Sequence, residues 1–308
     1  MKPMDHPRAW RRWIPLLSGC GEIEPILKGY SDDAKYLVSD SEGKPRYVLR
    51  AYGIEQAGTK AREYGILEEM KELDVLCSRP VQAGSLPDQG LGYMLVTYIE
   101  GEEASEALPR LPVGKQESIG LHAGRELRKI HRAGVPADVE PWQDRILARY
   151  RKYMQEYEAC GIRLDRGDEL LKFLQEHLGL TEGRPSVFQH HDYHVGNLIV
   201  HDGALAGIID FNRYGWGDSV QEFAKAGFFS AETSVPFTAG QIRGYHDGEP
   251  DDGFWQLYAF YIGLVCLSSV PWIVRVRPAE TADMLKRIGK VIDDHEGFSR
   301  CKPLWYPG

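Results

Sequence analysis

The chain has 308 residues, 43% of them apolar and 27% charged, with a formal net charge of -8. That length and balance describe a folded globular protein of one large or two smaller domains, and exclude a disordered chain. The negative charge, with no long run of lysine or arginine, excludes the footprint of a nucleic-acid binder and favours cationic small molecules as partners.

Five cysteines, Cys20, Cys77, Cys160, Cys266 and Cys301, stand singly and in odd number. They predict neither a disulfide framework nor a Cys-x-x-Cys zinc site, and they fit a reducing cytoplasm. "RRWIPLLSGC" ends like a lipoprotein cleavage site, but its apolar stretch from Trp13 to Leu17 is interrupted by Pro15 and falls short of the roughly 7 to 15 residues of a signal core. It is expected to belong to the fold.

"KYLVSDSEGKPRYVLRAYG" reads as two strands around a Ser-Glu-Gly-Lys-Pro turn. In "AGTKAREYGILEEMKEL" the spacing of Ala61, Tyr64, Leu67, Met70 and Leu73 predicts a helix that buries those five positions. A third strand, Tyr93 to Ile99, ends before Gly101, giving the order strand, strand, helix, strand. Helical periodicity then dominates in "VGKQESIGLHAGRELRKIHRAG", "WQDRILARYRKYMQEYEACG" and "RGDELLKFLQEHLG". His131, near the end of the first of these, reads as a structural residue.

"FWQLYAFYIGLVCLSSVPWIV", residues 254 to 274, carries no charge and is long enough to cross a bilayer, which takes about 20 helical residues. Its Gln256, Ser268, Ser269 and Pro271 point instead to a buried core helix, so no membrane is expected. The run Asp247, Glu249, Asp251 and Asp252 before it reads as a solvated turn, or as an acidic rim for a polyamine.

Chemistry concentrates in "QHHDYHVGNLIV", residues 189 to 200. "LIV", the turn "HDG" and "ALAGIID" form a hairpin that brings Asp192, Asn197 and Asp210 towards one end. An amide and a carboxylate oxygen suit Mg²⁺, which leaves Asp192 to accept a proton from a hydroxyl. The alternative is a zinc hydrolase built on His190, His191, Asp192, His194 and His201, which lacks a second ligand cluster.

"HHDYHVGN" and "IIDFNRYGWGD" resemble the catalytic loop and metal motif of the aminoglycoside phosphotransferase and choline kinase superfamily. The resemblance extends through "KGYSDDAKYLV", "RYVLRAYG", "AREYGILEEM" and "YIEGEEA". It implies an α+β, two-lobed protein-kinase-like fold, with a small antiparallel-sheet N-lobe over residues 1–100 and a larger helical C-lobe over residues 101–308. By the same resemblance, Asp192 orients or deprotonates the acceptor hydroxyl, and Asn197 and Asp210 hold the metal. Arg50 contacts the phosphates and Glu63 braces it, Ser31 and Asp32 lie in the phosphate loop, and the backbone of Tyr98, Ile99 and Glu100 receives the purine. His190 and Asp218 support the loop. The sequence departs from the family in having Arg50 where lysine is common, His191 where glycine is frequent, and Glu222 in place of aspartate.

The implied reaction is Mg²⁺-dependent transfer of the γ-phosphoryl group of ATP or GTP to a hydroxyl of a small, cationic molecule, foremost an aminoglycoside-like amino sugar. Choline, ethanolamine, homoserine or another metabolite are alternative acceptors; Tyr214, Trp216 and the aromatics at 254 to 261 would suit a quaternary ammonium. A nucleotide-binding protein without turnover is the alternative of another class, supported by Arg50 alone.

Overall fold

The computed structural model describes residues 9–27 and 33–307. Its residues form two compact units that are not consecutive in sequence. The first comprises Met1–Glu102, Ile199–His201 and Ala206–Asn212; the second comprises Glu103–Leu198, Asp202–Leu205 and Arg213–Gly308.

The first unit is built on a five-stranded antiparallel sheet of β1 (Ile23–Ile26), β2 (Ala34–Ser39), β3 (Pro45–Gly53), β4 (Pro80–Leu86) and β5 (Leu91–Thr97), in the order β1-β2-β3-β5-β4. β2 and β3 are the hairpin expected from the sequence. β1 and β4 were not expected, and both lie at the edges of the sheet. The short helix α1 (Trp10–Trp13) and the turn after it bury Trp10, Ile14 and Leu17 in one core with Tyr36, Val38 and Leu49, so the apolar stretch that mimics a cleavage site is sheet packing.

Helix α2 (Ala57–Glu72) turns a different face inward from the one its apolar spacing predicts. Lys60, Glu63, Leu67 and Met70 are buried, whereas Ala61 is exposed and Tyr64 and Leu73 are half-buried. The reason is electrostatic: Lys60 and Glu63 meet Arg50 and Asp33 beneath the helix, and buried charges must be paired.

The later strands are β6 (Glu102–Glu103), β7 (Val187–Gln189), β8 (Leu198–His201), β9 (Ala204–Ile208) and β10 (Gly215–Gly217), with β6-β8-β9 forming one small sheet and β10-β7 another. Asp202 and Gly203, with φ of 49° and 70°, make the tight turn between β8 and β9 as the sequence predicts. Ile208 donates its N–H to Leu76 O at 2.8 Å, which anchors the strand end leading to Asp210 within the first unit.

The second unit is helical, with α3 (Ala104–Ala107), α4 (Val113–Ile130), α5 (Trp142–Ala159), α6 (Gly167–Glu176), α7 (Phe223–Lys225), α8 (Ala231–Thr233), α9 (Val235–His246), α10 (Asp252–Val276) and α11 (Thr281–Asp294). α4 and α9 meet backbone to backbone. A Cβ at Gly120 would strike Phe237 O, one at Gly124 would strike Gln241 O, and one at Gly244 would strike Leu121 O. Glycines four residues apart on both helices thus permit an approach that no side chain would allow.

α10 is the apolar segment that could be mistaken for a membrane span. Its Phe254, Trp255, Tyr258, Phe260 and Tyr261 are all buried within the unit. They are core, which removes them as a cage for a quaternary ammonium. The acidic run before it caps helices: Asp247 ends α9 in a left-handed conformation, Asp251 accepts the N–H of Phe254 at 2.8 Å, and Glu249 pairs with Arg243.

Candidate active site

The loop from His190 to Asn197 is held from below by buried polar contacts. His190 is fully buried, and its Nδ1 accepts the N–H of Asp192 at 3.3 Å. Tyr193, also fully buried, donates its hydroxyl to Ala123 O on α4 at 2.7 Å. Val195 donates its N–H to Ser230 Oγ at 3.2 Å, at the end of a π-turn over Ala226–Ser230. π-turns often accompany functional sites, and this one sets Ser230 against the loop.

His191 has φ of 66°, the left-handed region that glycine enters at no steric cost. The glycine frequent at this position in the resembling family therefore has a backbone reason, and His191 accepts that conformation. Its imidazole packs against Gly215, where a Cβ would fall 2.6 Å from Nε2, and burial pushes its pKa down, so the ring stays neutral.

Asn197 turns back on the loop and donates Nδ2–H to Asp192 O at 2.8 Å and to Asp192 Oδ2 at 3.3 Å. Both contacts use the amide nitrogen, leaving Oδ1 as an acceptor directed elsewhere. The other carboxylate oxygen, Asp192 Oδ1, faces Lys225 Nζ at 3.4 Å and His194 Nε2 at 3.5 Å. His194 Nδ1 accepts the N–H of Gly196 at 3.1 Å, which leaves Nε2 as the ring donor facing the carboxylate. Burial alone would raise the Asp192 pKa. His194, Lys225 and Arg213 outweigh it and hold the group well below the usual carboxylate range. The sequence reading missed His194 and Lys225 as neighbours of Asp192. Position 194 could have been found as the second residue after the aspartate, whereas nothing in the spacing signals Lys225.

Asp218 is fully buried. It receives Arg184 at 2.7 and 2.9 Å, the Tyr261 hydroxyl at 2.8 Å and the N–H of Val220 at 3.0 Å. These four donors tie the chain after β10 to Arg184 and Tyr261. Glu222 is buried beside His131, whose Nδ1 lies 2.7 Å from the Tyr245 hydroxyl.

In the first unit Arg50 projects from β3 between Glu63 and Asp33. Asp210 lies in the same unit with φ of 70°. Burial works against the charge on Arg50, and the carboxylates of Glu63, Asp33 and Asp210 more than offset it. Tyr98 commits its N–H to Arg46 O at 2.9 Å, so that donor is already engaged. Ser31 and Asp32 lie outside the described residues.

The Oδ1 of Asn197, in the second unit, and the carboxylate of Asp210, in the first, are each hard oxygen donors of the type Mg²⁺ takes. The zinc alternative does not fit. The Nδ1 atoms of His190 and His194 each accept a backbone N–H, and among the described residues no group of three or more His, Cys, Asp or Glu could hold a metal.

A model of the phosphotransferase enzyme family matches residues 22–258. An aminoglycoside 3'-phosphotransferase of Niallia circulans is 24% identical over 234 residues, covering 72% of this chain and 84% of the relative. Among solved structures, aminoglycoside 2'-phosphotransferase-IIIa in its GDP complex superposes with a TM-score of 0.68 at 15% identity, covering 94% of this chain and 99% of that one. ADP-bound aminoglycoside phosphotransferase APH(2'')-Ib gives 0.65 at 14% identity, with 92% and 97% covered. The fold is the kinase-like α+β fold of these phosphotransferases.

Proposed function

This chain belongs to the phosphotransferase enzyme family, and from that we propose that it transfers the γ-phosphoryl group of ATP or GTP to a hydroxyl of a small molecule. The observation that carries the reading is the Asp192–Asn197 couple. One loop presents a carboxylate held ionised and an amide whose oxygen is turned free by its own N–H bonds.

In this reading residues 1–100 form the nucleotide-binding lobe and residues 101–308 the catalytic and acceptor lobe. Asp192 accepts a hydrogen bond from the acceptor hydroxyl and aims its oxygen along the line of attack. A carboxylate this acidic is a weak base, so it takes the proton only as the new oxygen–phosphorus bond forms, which a loose phosphoryl-transfer transition state permits. Asn197 and Asp210 hold Mg²⁺, which when bound offsets charge on the phosphate oxygens. Arg50, braced by Glu63, faces the phosphates, with Ser31 and Asp32 in the covering loop and the Tyr98–Glu100 backbone at the purine. His190 and Asp218 keep the loop in register.

The proposed acceptor is an aminoglycoside-like amino sugar. The net charge of -8 and the relatedness to an aminoglycoside 3'-phosphotransferase support it. The test is Mg²⁺-dependent consumption of ATP and GTP with aminoglycosides, choline, ethanolamine and homoserine as acceptors, with Asp192→Ala as the blank. Amino-sugar-stimulated turnover that disappears in the variant is expected. Turnover with choline or homoserine alone would replace the acceptor class, and turnover that persists in Asp192→Ala would refute the role of that residue.

A further inference from the structure

Arg50 stands where the resemblance leads one to expect a lysine in many members, and the structure shows what surrounds that arginine. Asp33 Oδ2 receives three donors at once: Arg50 Nε at 3.0 Å, Arg50 Nη2 at 2.5 Å and Lys60 Nζ at 2.6 Å. Arg50 Nη1 reaches Glu63 Oε1, and Lys60 Nζ lies 3.3 Å from Glu63 Oε2. The four side chains are between 2% and 9% exposed. Within these four side chains two cations and two carboxylates balance in charge, and the carboxylate of Asp210 acts on Arg50 as well.

An arginine fork and a lysine converging on one anionic oxygen is the arrangement a phosphate oxygen would be offered. Glu63 can keep Arg50 in place through Nη1 alone. If Asp33 swings away, the Nε and Nη2 edge of the fork and the ammonium of Lys60 are released together. Lys60 is a compact charge on a flexible stem, set one helical turn before Glu63 on the same face of α2, so it can follow an incoming anion while Arg50 stays braced.

We propose that Lys60 is a second phosphate-binding cation of the nucleotide site, and that Asp33 stands in for a phosphate oxygen until the nucleotide displaces it. This rests on the phosphotransferase reading. Lys60 then supplies, from the helix, the point charge that a lysine on β3 would have provided, and Asp33 opposes nucleotide binding by the energy needed to displace it.

The experiment is equilibrium binding of fluorescent ATP and GTP analogues, in excess Mg²⁺, to the full chain and to Asp33→Asn, Lys60→Met and the double variant. Thermal melting accompanies each measurement. Lys60→Met alone leaves an excess buried carboxylate and melts early, whereas the double variant restores neutrality around Arg50 and Glu63 and keeps the test readable. Asp33→Asn is expected to bind about fivefold or more tighter than wild type, because the competent state no longer has to be uncovered. The double variant is expected to bind about tenfold weaker than Asp33→Asn, the loss of one charge-assisted contact.

A double variant that binds as tightly as Asp33→Asn would overturn the role of Lys60. Weaker binding by Asp33→Asn than by wild type would overturn displacement and make Asp33 a nucleotide ligand. Wild type failing to bind either nucleotide would bring down the inference and the phosphotransferase reading together; the two preceding results would leave that reading standing.

Discussion

Lys225 sets its ammonium 3.4 Å from Asp192 Oδ1, on the side of the carboxylate that Asn197 does not occupy. The group proposed to aim the acceptor hydroxyl is therefore clamped between an amide and a cation. Its folded pKa is depressed, so the stability this clamp contributes is present above the pKa of an unfolded aspartate and is lost as pH falls through the folded value. An acid limb of kcat/KM in wild type between about pH 5 and 7 would belong to another group. In Lys225→Met the carboxylate loses a cation and its pKa rises. The part of the acid limb due to Asp192 is then expected to move to higher pH, as pH–rate profiles of the two proteins would show.

Asp192 and Asp210 should fail differently. Asp192→Ala is expected to lower kcat by roughly 10²- to 10⁴-fold while nucleotide affinity is largely kept, since the loop is proposed to act on the acceptor. Asp210→Ala is expected to raise the Kd for Mg²⁺-nucleotide itself by about tenfold or more. Single-turnover kinetics and nucleotide titration on both variants separate the two roles.

His295 predicts a pH dependence of stability away from the active site. Its Nδ1 lies 2.9 Å from Arg300 O, its ring stacks on Phe298, and its buried Nε2 has no hydrogen-bond partner. Burial pulls its pKa from 6.5 down to about 4. The unfolded chain therefore takes up the proton first. Stability is full above about pH 6.5 and falls by on the order of 3 kcal/mol as pH drops to about 4. The melting temperature should decline across that window, and His295→Gln should flatten the decline.

The α4–α9 contact gives a packing test. A methyl at Gly124 must push into the Gln241 carbonyl, which is backbone and has no rotamer to change. Gly124→Ala is expected to cost about 1–3 kcal/mol or more, seen as a drop of several degrees in melting temperature. Gly114→Ala, with nothing within 4 Å of the added carbon, should leave the melting temperature unchanged or slightly raised.

The parts of the fold legible in the sequence were those with local signals. The Leu198–Ile208 hairpin was marked by its turn residues, the long helices by their periodicity, and the loop from His190 to Asn197 by the order of its side chains. β1 and β4 escaped because they are edge strands: "IEPI" carries a proline and "PVQAGSL" is only partly buried, so neither shows an apolar run. α2 was rotated in the reading because apolar residues were assigned inward, whereas a paired ion group decided which face went down. The approach of Lys225 to Asp192 depends on tertiary packing and has no trace in spacing. The glycine pairs at 120 and 124 and at 240 and 244 were visible, but only the facing of the two helices gives them meaning.

That facing also determines what selection can do with this protein. Tyr193 hangs the loop from Ala123, one residue before Gly124, so the height of Asp192 is indexed to a seam where, at the glycines, backbone meets backbone. Most cores absorb substitutions by shuffling rotamers, which lets stability drift without disturbing chemistry. Here a change at the seam passes directly into main-chain position and from there to the loop. Variants selected for heat tolerance should therefore gather mutations in α10, α11 and the sheet core and leave the α4–α9 glycines untouched, because at those positions a stability change and an activity change would be the same event.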